Sequence, residues 1–189
     1  MAVVVTSFVK RGKVGDAKAK DTVRYIQHRA GKDGERVMRP LFTNDSPMTR
    51  LEAYQFIDEA PKGTKFFTII ISPDPTTEDT YHDVDMRALT ITTMQTVEEI
   101  MRGQGISSPV VWVAAVHDDH TDKNHVHALA SLQGRLDKPD LRRLIDGTTQ
   151  TCLEQRRELD RALERQGRQR DRGEEWEPEP QLQEDRWGE

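Results

Sequence analysis

Two apolar runs on either side of a short polar segment constrain the fold of this chain more than any other feature. Residues 109–116 and 125–132 each have the length and composition of a strand, and the residues between them are polar or charged. Strands that follow each other across a short polar turn usually pair as an antiparallel hairpin. The sequence therefore predicts a sheet that is antiparallel in at least this part.

The remaining patterns mix helices and strands. Apolar residues recur with a helical period in residues 16–30, 84–102 and 139–166. Apolar runs bounded by turn residues predict strands over residues 2–9 and 64–72, and weaker patterns predict a strand over residues 37–42 and a helix over residues 47–59. Because helices and strands do not alternate strictly, we predict an α+β fold: a central antiparallel β-sheet with helices packed on its faces.

The charge of the chain is distributed unevenly. Its net charge is −5, but residues 174–189 hold seven acidic residues and one basic residue, so this segment contributes −6 and the rest of the chain +1. The segment also contains proline and few apolar residues, a composition typical of disorder. We predict one domain over residues 1–170, which is long enough for a hydrophobic core, followed by a disordered acidic tail over residues 171–189.

The N-terminal part of the chain is basic. Residues 1–50 hold eleven Lys and Arg against five Asp and Glu. A local positive field of this kind attracts phosphate backbones. Scattered lysines on a solvated surface would give a similar count, so charge alone does not decide between a nucleic-acid binder and an ordinary surface.

The sequence contains no sign of a membrane segment. No run approaches the roughly 20 apolar residues that a membrane helix needs, and the first residues lack the pattern of a signal peptide. The only cysteine, Cys152, excludes an internal disulfide and suits a reducing compartment. We therefore expect a cytoplasmic protein with no membrane partner.

Three histidines lie around the predicted hairpin. His125 and His127 are two residues apart on one strand, so their side chains project from the same face of the sheet. His117 ends the preceding strand, and seven residues separate it from His125. A hairpin brings the three imidazoles together, and three neutral imidazoles bind a divalent cation while leaving positions open for a substrate oxygen. The pattern predicts a catalytic metal site.

Tyr25 lies on the first predicted helix, away from the apolar stripe that contains Val23 and Ile26. A tyrosine in this position is more exposed than a core tyrosine, and a phenol on a basic helix can stack on a nucleobase or attack a phosphate. Four basic residues on or just after this helix are candidate DNA contacts: Lys18, Arg24, Arg29 and Lys32.

Together these features resemble the relaxases of plasmid mobilisation, the MobA-like group of the HUH endonucleases. The nucleophile motif of that family is similar to the segment around Tyr25, DTVRYIQHRAGK. Its metal motif is similar to the spacing of His117, His125 and His127, and a helix after its hairpin resembles LDRALERQGRQRD, residues 159–171. The resemblance covers about residues 1–170.

The resemblance implies a palm-like antiparallel sheet with a metal ion at its centre, held by the three histidines. Tyr25 would attack a phosphodiester of single-stranded DNA at a transfer origin, leaving a 5′-phosphotyrosyl link and a free 3′-hydroxyl. The metal would be Mg²⁺ or Mn²⁺, with Zn²⁺ also accommodated, and accessory mobilisation proteins and a coupling protein would be further partners. The acidic residue of the family's site is not fixed by the sequence; its candidates are Glu78, Asp83, Asp85, Glu98 and Glu99.

Three other interpretations remain open. A rolling-circle replication initiator or a single-strand transposase of the same superfamily would usually carry its tyrosine on a helix after the histidines, and the helix predicted there contains none. A non-cleaving DNA-binding accessory protein would not need both the tyrosine and the three histidines. A small-molecule metalloenzyme such as an oxygenase would usually add a carboxylate ligand, and would leave the basic helix unexplained.

Overall fold

A six-stranded sheet forms the centre of the part of the chain that the structure describes. The structure is a computed structural model and describes residues 2–31, 33–44, 46–118 and 123–173. Its strands are β1 (Val3–Lys10), β2 (Leu41–Thr43), β3 (Ser46–Met48), β4 (Lys65–Ser72), β5 (Val111–His117) and β6 (His125–Leu132). Neighbouring strands are antiparallel, and their order across the sheet is β1–β4–β6–β5–β2–β3.

Four helices accompany the sheet in the described ranges. They are α1 (Lys13–His28), α2 (Arg50–Glu59), α3 (Met86–Gly103) and α4 (Lys138–Gly173). The predicted α+β class with a central antiparallel sheet is confirmed, and so is the hairpin, since β5 and β6 pair along their whole length. None of the described helices is long and apolar enough to cross a membrane.

The alternation of side chains along the strands divides the core into two layers. On one face of the sheet, Phe66 and Leu129 pack with Val23 of α1 and with apolar residues of α2. On the other face, Trp112 packs in a cluster with Leu89 of α3 and with residues of the first half of α4. Both faces of the central strands are therefore covered, one by each pair of helices.

Helix α1 follows β1 directly and lies across the first of these faces. Its buried residues are Ala19, Val23 and Ile26, as the sequence predicts, together with Gly15 in the first turn. A Cβ atom at Gly15 would lie 1.8 Å from the carbonyl oxygen of Lys10, so only glycine allows the helix to start this close to the end of β1. This close approach fixes where α1 crosses the sheet.

Two short elements differ from the sequence predictions. The helix predicted over residues 47–59 begins only at Arg50, because residues 46–48 form β3 and Thr49 caps the helix. Thr49 and Glu52 form a capping box, which stabilises a helix start at this residue. The strand predicted over residues 37–42 is also shorter, and only Leu41–Thr43 joins the sheet as β2.

The described residues divide into two compact units. The boundary between the units falls within α4, between Arg156 and Arg157. The second unit contains the end of α4, where Leu163 is 53% exposed instead of facing a core as its helical spacing predicts. α4 runs to Gly173, through the predicted boundary at residue 170, and residues 174–189 lie outside the described residues. The domain boundary and the disordered tail remain predictions.

Candidate metal centre and tyrosine site

The hairpin of β5 and β6 brings the three histidines together. His117 is the last residue of β5 and pairs directly with His125, the first residue of β6. His127 follows two positions later on the same face, so the three rings form a triangle with centroid distances of 4.7 to 5.2 Å. All three residues are buried. The predicted clustering is therefore present on the sheet face that α1 covers.

Hydrogen bonds fix which nitrogen of two of these rings carries a lone pair. His117 donates from Nε2 to the carbonyl oxygen of Ile26, 2.8 Å away, and its Nδ1 is buried without a partner among the described residues. His125 donates from Nδ1 to the carbonyl oxygen of Lys123, 3.1 Å away, which leaves the lone pair on Nε2. Carbonyl partners of this kind hold the rings of metal ligands in one tautomer and one orientation.

The site keeps two of its imidazoles neutral. Burial is the main cause that lowers the pKa of His117 to about 3, with the charge of Arg39 as the next cause. Burial likewise lowers the pKa of His127 to about 4, assisted by His125, Arg29 and Arg39. At neutral pH both rings are uncharged and can donate a lone pair to a cation.

This donor set fits a divalent metal ion. The three histidines each offer one nitrogen, and these atoms lie within 4.8 Å of one another. Among the described residues no cysteine or carboxylate completes the group, so the cluster lacks the fourth protein ligand of a typical structural zinc site. A centre of this kind leaves coordination positions for oxygen atoms of a substrate.

Tyr25 lies against the histidine cluster. Its ring meets the ring of His127 edge-on, with centroids 5.7 Å apart and an angle of 82° between the planes. The side chain is 48% exposed, because Val23 and Ile26 occupy the buried stripe of α1 and turn Tyr25 towards the edge of the layer. One side of the phenol therefore contacts a candidate metal ligand while the other side faces solvent.

Arg29 joins the tyrosine to the cluster. Its guanidinium group lies 5.7 Å from the centre of the Tyr25 ring, and its Nη1 lies 3.5 Å from Nε2 of His125. Of the four basic residues predicted to bind DNA, Arg29 is the one that contacts the site directly. Lys18 is exposed on α1, Arg24 is exposed and paired with Asp21, and Lys32 lies outside the described residues.

An open cavity of about 430 Å³ adjoins the tyrosine. It is lined by Asp21, Thr22, Tyr25, Thr68, Ile70 and His127. Thr68 and Ile70 belong to β4 and are half-buried, and Ile70 pairs with His127 across the sheet. The cavity is a groove between α1 and β4, and its lining includes both the phenol of Tyr25 and the candidate ligand His127.

Sequence reasoning missed Arg39. This residue is 4% exposed, and its guanidinium Nη1 donates to the carbonyl oxygen of Arg29 at 2.7 Å. Its backbone N–H donates to the carbonyl oxygen of Gln27 at 2.9 Å. It lies within residues 37–42, for which the sequence predicts a strand, but the structure is irregular at this position, and a strand pattern does not indicate that an arginine is buried beside the histidines.

An acidic residue that was not among the candidates, Asp79, is hydrogen-bonded to the residue that precedes β6. Asp79 is 2% exposed and accepts from the side-chain amide of Asn124, the residue before His125, at 3.2 Å. Four of the five predicted candidates contact groups outside the histidine cluster. Glu78 accepts from the backbone of Asp74, Asp83 pairs with Arg156, Asp85 caps α3, and Glu99 pairs with Arg143. No contact with the histidine cluster is found for Glu98.

Comparison with protein-family models, with curated proteins and with solved structures gives no match to this chain.

Proposed function

We propose that this protein is a relaxase-type DNA nickase and strand transferase that uses Tyr25 as its nucleophile and the three histidines as its metal centre. The observation that carries the proposal is the edge contact between the Tyr25 ring and His127. A nucleophile for phosphate chemistry must lie within reach of the group that polarises the phosphate. The resemblance to MobA-like relaxases predicts the same residues for the same roles.

In this proposal the Tyr25 hydroxyl attacks the phosphorus of a phosphodiester in single-stranded DNA. A bond forms between the phenol oxygen and phosphorus, the bond to the 3′-oxygen breaks, and that oxygen leaves as a 3′-hydroxyl after taking up a proton. The new phosphotyrosyl ester is again a diester, so the 3′-hydroxyl can attack it and reseal the strand. The proposed activity is thus reversible strand transfer.

The residues around the phenol support this chemistry. Arg29 places a positive charge between the Tyr25 ring and His125, where it can bind a non-bridging phosphate oxygen. His117, His125 and His127 would hold a divalent ion, Mg²⁺ or Mn²⁺ with Zn²⁺ also suited, which when bound polarises the phosphate oxygens. The fixed rings orient the phosphate and the phenol towards each other.

The groove beside Tyr25 is the proposed path of the single strand. Ile70 and the Tyr25 ring offer apolar surface for bases, and Thr68 offers a hydroxyl group for hydrogen bonding. Lys18 lies two helical turns before Tyr25, on the same side of α1, where it can contact the phosphate backbone. The proposed substrate is single-stranded DNA at a plasmid transfer origin, and the proposed further partners are accessory mobilisation proteins and a coupling protein.

Adduct formation tests the proposal. Single-stranded oligonucleotides that tile the replicon carrying the gene are labelled at the 3′ end and incubated with the protein and Mn²⁺. We expect a covalent protein–DNA adduct that survives denaturing electrophoresis and is lost in Tyr25→Phe. Tyr81→Phe is the matched control, because Tyr81 is 67% exposed and contacts Arg156 instead of the histidines.

Two results would contradict the proposal. An adduct that persists in Tyr25→Phe would assign the nucleophile to another residue. Binding to the oligonucleotides without any adduct on the complete tiling set would favour the non-cleaving accessory protein.

A further inference from the structure

The backbone of the last turn of α1 is hydrogen-bonded to His117, one of the candidate metal ligands. The final carbonyl groups of a helix have no partner within the helix and must find one elsewhere. In α1 the carbonyl of Ile26 accepts from Nε2 of His117 at 2.8 Å. Arg39 binds two further carbonyl groups. Its backbone N–H donates to the carbonyl of Gln27 at 2.9 Å, and its Nη1 donates to the carbonyl of Arg29 at 2.7 Å.

These hydrogen bonds involve the carbonyl groups of residues that follow Tyr25 closely in the chain. Ile26 directly follows Tyr25, so a candidate metal ligand is hydrogen-bonded to the peptide unit next to the nucleophile. The carbonyl of Tyr25 itself closes the helix by accepting from the N–H of Arg29. Any shift of this turn would move the Tyr25 ring relative to His127 and Arg29 relative to His125.

We propose that Arg39 is a positioning residue for Tyr25 and that the last turn of α1 couples metal binding to the alignment of the tyrosine. This inference rests on the proposed function for its catalytic meaning. Arg39 acts through the backbone of α1, because it donates hydrogen bonds to the carbonyl groups of Gln27 and Arg29 at the end of this helix. Its positive charge also lies at the end of the helix where the helix dipole is negative.

The coupling follows from the chemistry of imidazole. When Nδ1 of His117 donates its lone pair to a cation, the ring loses electron density and the opposite N–H becomes a stronger donor. The bond from Nε2 to Ile26 is then strengthened, and the last turn of α1 opens less often. Linkage is reciprocal, so the factor by which metal binding favours the closed turn equals the factor by which closing the turn strengthens metal binding.

Hydrogen exchange of the full chain with and without Zn²⁺ tests the coupling without DNA. We expect Zn²⁺ to slow the exchange of backbone amides in residues 25–31 by about tenfold, because a partner of a metal ligand changes metal affinity by about tenfold or more and linkage transfers that factor to the opening of the turn. In Arg39→Gln at saturating Zn²⁺ most of this protection should disappear, while the amides of β4 exchange as in the wild type. Arg36→Gln is the matched control, because Arg36 is an exposed arginine of the same segment.

A kinetic experiment distinguishes a positioning role from a purely structural one. With an oligonucleotide that forms the adduct, Arg39→Gln should slow adduct formation at saturating DNA by about tenfold or more. The dissociation constant for the oligonucleotide should stay within about threefold of the wild type, because Arg39 is 4% exposed and removed from the surface that the DNA contacts.

Each arm has a result that overturns the inference. If Zn²⁺ binds to the wild type but leaves the exchange of residues 25–31 unchanged, the last turn of α1 does not couple metal binding to the alignment of Tyr25. This experiment uses the wild type alone, so it does not depend on a variant that might fail to fold. If Arg39→Gln keeps the metal-dependent protection or the adduct rate of the wild type, Arg39 is not a positioning residue. Absence of any adduct in the wild type, with the exchange result as expected, would contradict the proposed function alone.

Discussion

Arg29 contacts two groups of the candidate site and adds a positive charge to it. Its Nη1 lies 3.5 Å from Nε2 of His125, and its guanidinium group lies over the Tyr25 ring. A cation bound to the histidines would experience this positive charge at short range. A phosphate group bound beside that cation would be attracted by the positive charge of Arg29. Arg29 therefore opposes the binding of a metal ion alone and favours the binding of an anion.

Arg29→Gln should separate these two effects. We expect the affinity for Zn²⁺ alone to rise by about three- to tenfold, because a nearby positive charge is removed. The affinity for a single-stranded oligonucleotide should fall in the same variant, because a charged contact to phosphate is lost. Titration calorimetry measures the first change and fluorescence anisotropy the second. Arg24→Gln is the control, since Arg24 is exposed and paired with Asp21, and a rise in metal affinity there as well would contradict the interpretation.

The histidines should also make the stability of the metal-free protein depend on pH. Burial lowers the pKa of His117 to about 3 and that of His127 to about 4, whereas an unfolded histidine titrates near about 6.5. The unfolded state therefore binds more protons than the folded state in this range, and stability falls as the pH decreases from about 6.5 towards 4.

Thermal unfolding between pH 7.5 and 4.5 measures this effect. The midpoint for the wild type in a chelating buffer should fall more steeply with decreasing pH than the midpoint for His127→Gln, which lacks one of the two groups. Comparing slopes removes the contribution of the carboxylates, which both proteins share. Parallel profiles would show that His127 is not held in its neutral form by the fold.

At the scale of elements, the sequence predicts the hairpin and therefore most of the candidate site. The two-residue period of β6 places His125 and His127 on one face, and the length of the loop places His117 opposite His125. The apolar stripe of α1 likewise predicts that Tyr25 is exposed. These features follow from local periodicity, which a single sequence contains.

The remaining parts of the site depend on contacts between distant segments. Asp79 reaches Asn124 from an irregular segment 45 residues earlier, and His117 reaches the backbone of Ile26 across 91 residues. Neither contact has a periodic signature, and a backbone acceptor such as the carbonyl of Ile26 is the same for every residue type. For this reason the roles of Asp79 and Arg39 appear only in the three-dimensional structure.

Substitution of Gly15 tests whether the close approach of α1 to β1 sets the position of the helix. Gly15→Ala would place a Cβ atom 1.8 Å from the carbonyl oxygen of Lys10, so the start of α1 must move away from β1. We expect a loss of stability of about 1–3 kcal/mol in denaturant unfolding. Since α1 also carries Tyr25, adduct formation should slow in this variant.

The matched control is Gly103→Ala at the end of α3. A Cβ atom there meets no heavy atom within 4 Å, so the same substitution should be neutral or slightly stabilising. Equal losses in the two variants would mean that the close approach of α1 to β1 does not set the position of the helix.

The two faces of the sheet differ in the residues that cover them. The face that packs with α3 and the first half of α4 is largely apolar and provides most of the core. The opposite face combines a smaller apolar cluster around α1 and α2 with the buried histidines and Arg39. The three histidines therefore lie on the sheet itself, on the face that α1 covers.

Metal binding should stabilise the whole unit because a preformed site exists only in the folded state. At a Zn²⁺ concentration of about 100 times the dissociation constant, the free energy of unfolding should increase by about 2.7 kcal/mol. The midpoint of thermal unfolding should rise in the wild type and in His82→Ala, whose histidine lies outside the cluster. His117→Ala should show little or no rise, and an equal rise in that variant would contradict the assignment of the metal centre.

The residue that becomes covalently linked to DNA identifies the nucleophile. An oligonucleotide with sulfur in place of the 3′-bridging oxygen at the cleaved phosphate yields a 3′-thiol, which reseals the strand poorly, so the adduct accumulates. After nuclease and trypsin digestion, mass spectrometry should find the added 5′-phosphonucleotide on the peptide YIQHR, residues 25–29, whose only tyrosine is Tyr25. An added mass on the peptides that contain Tyr54 or Tyr81, with YIQHR unmodified, would contradict the account.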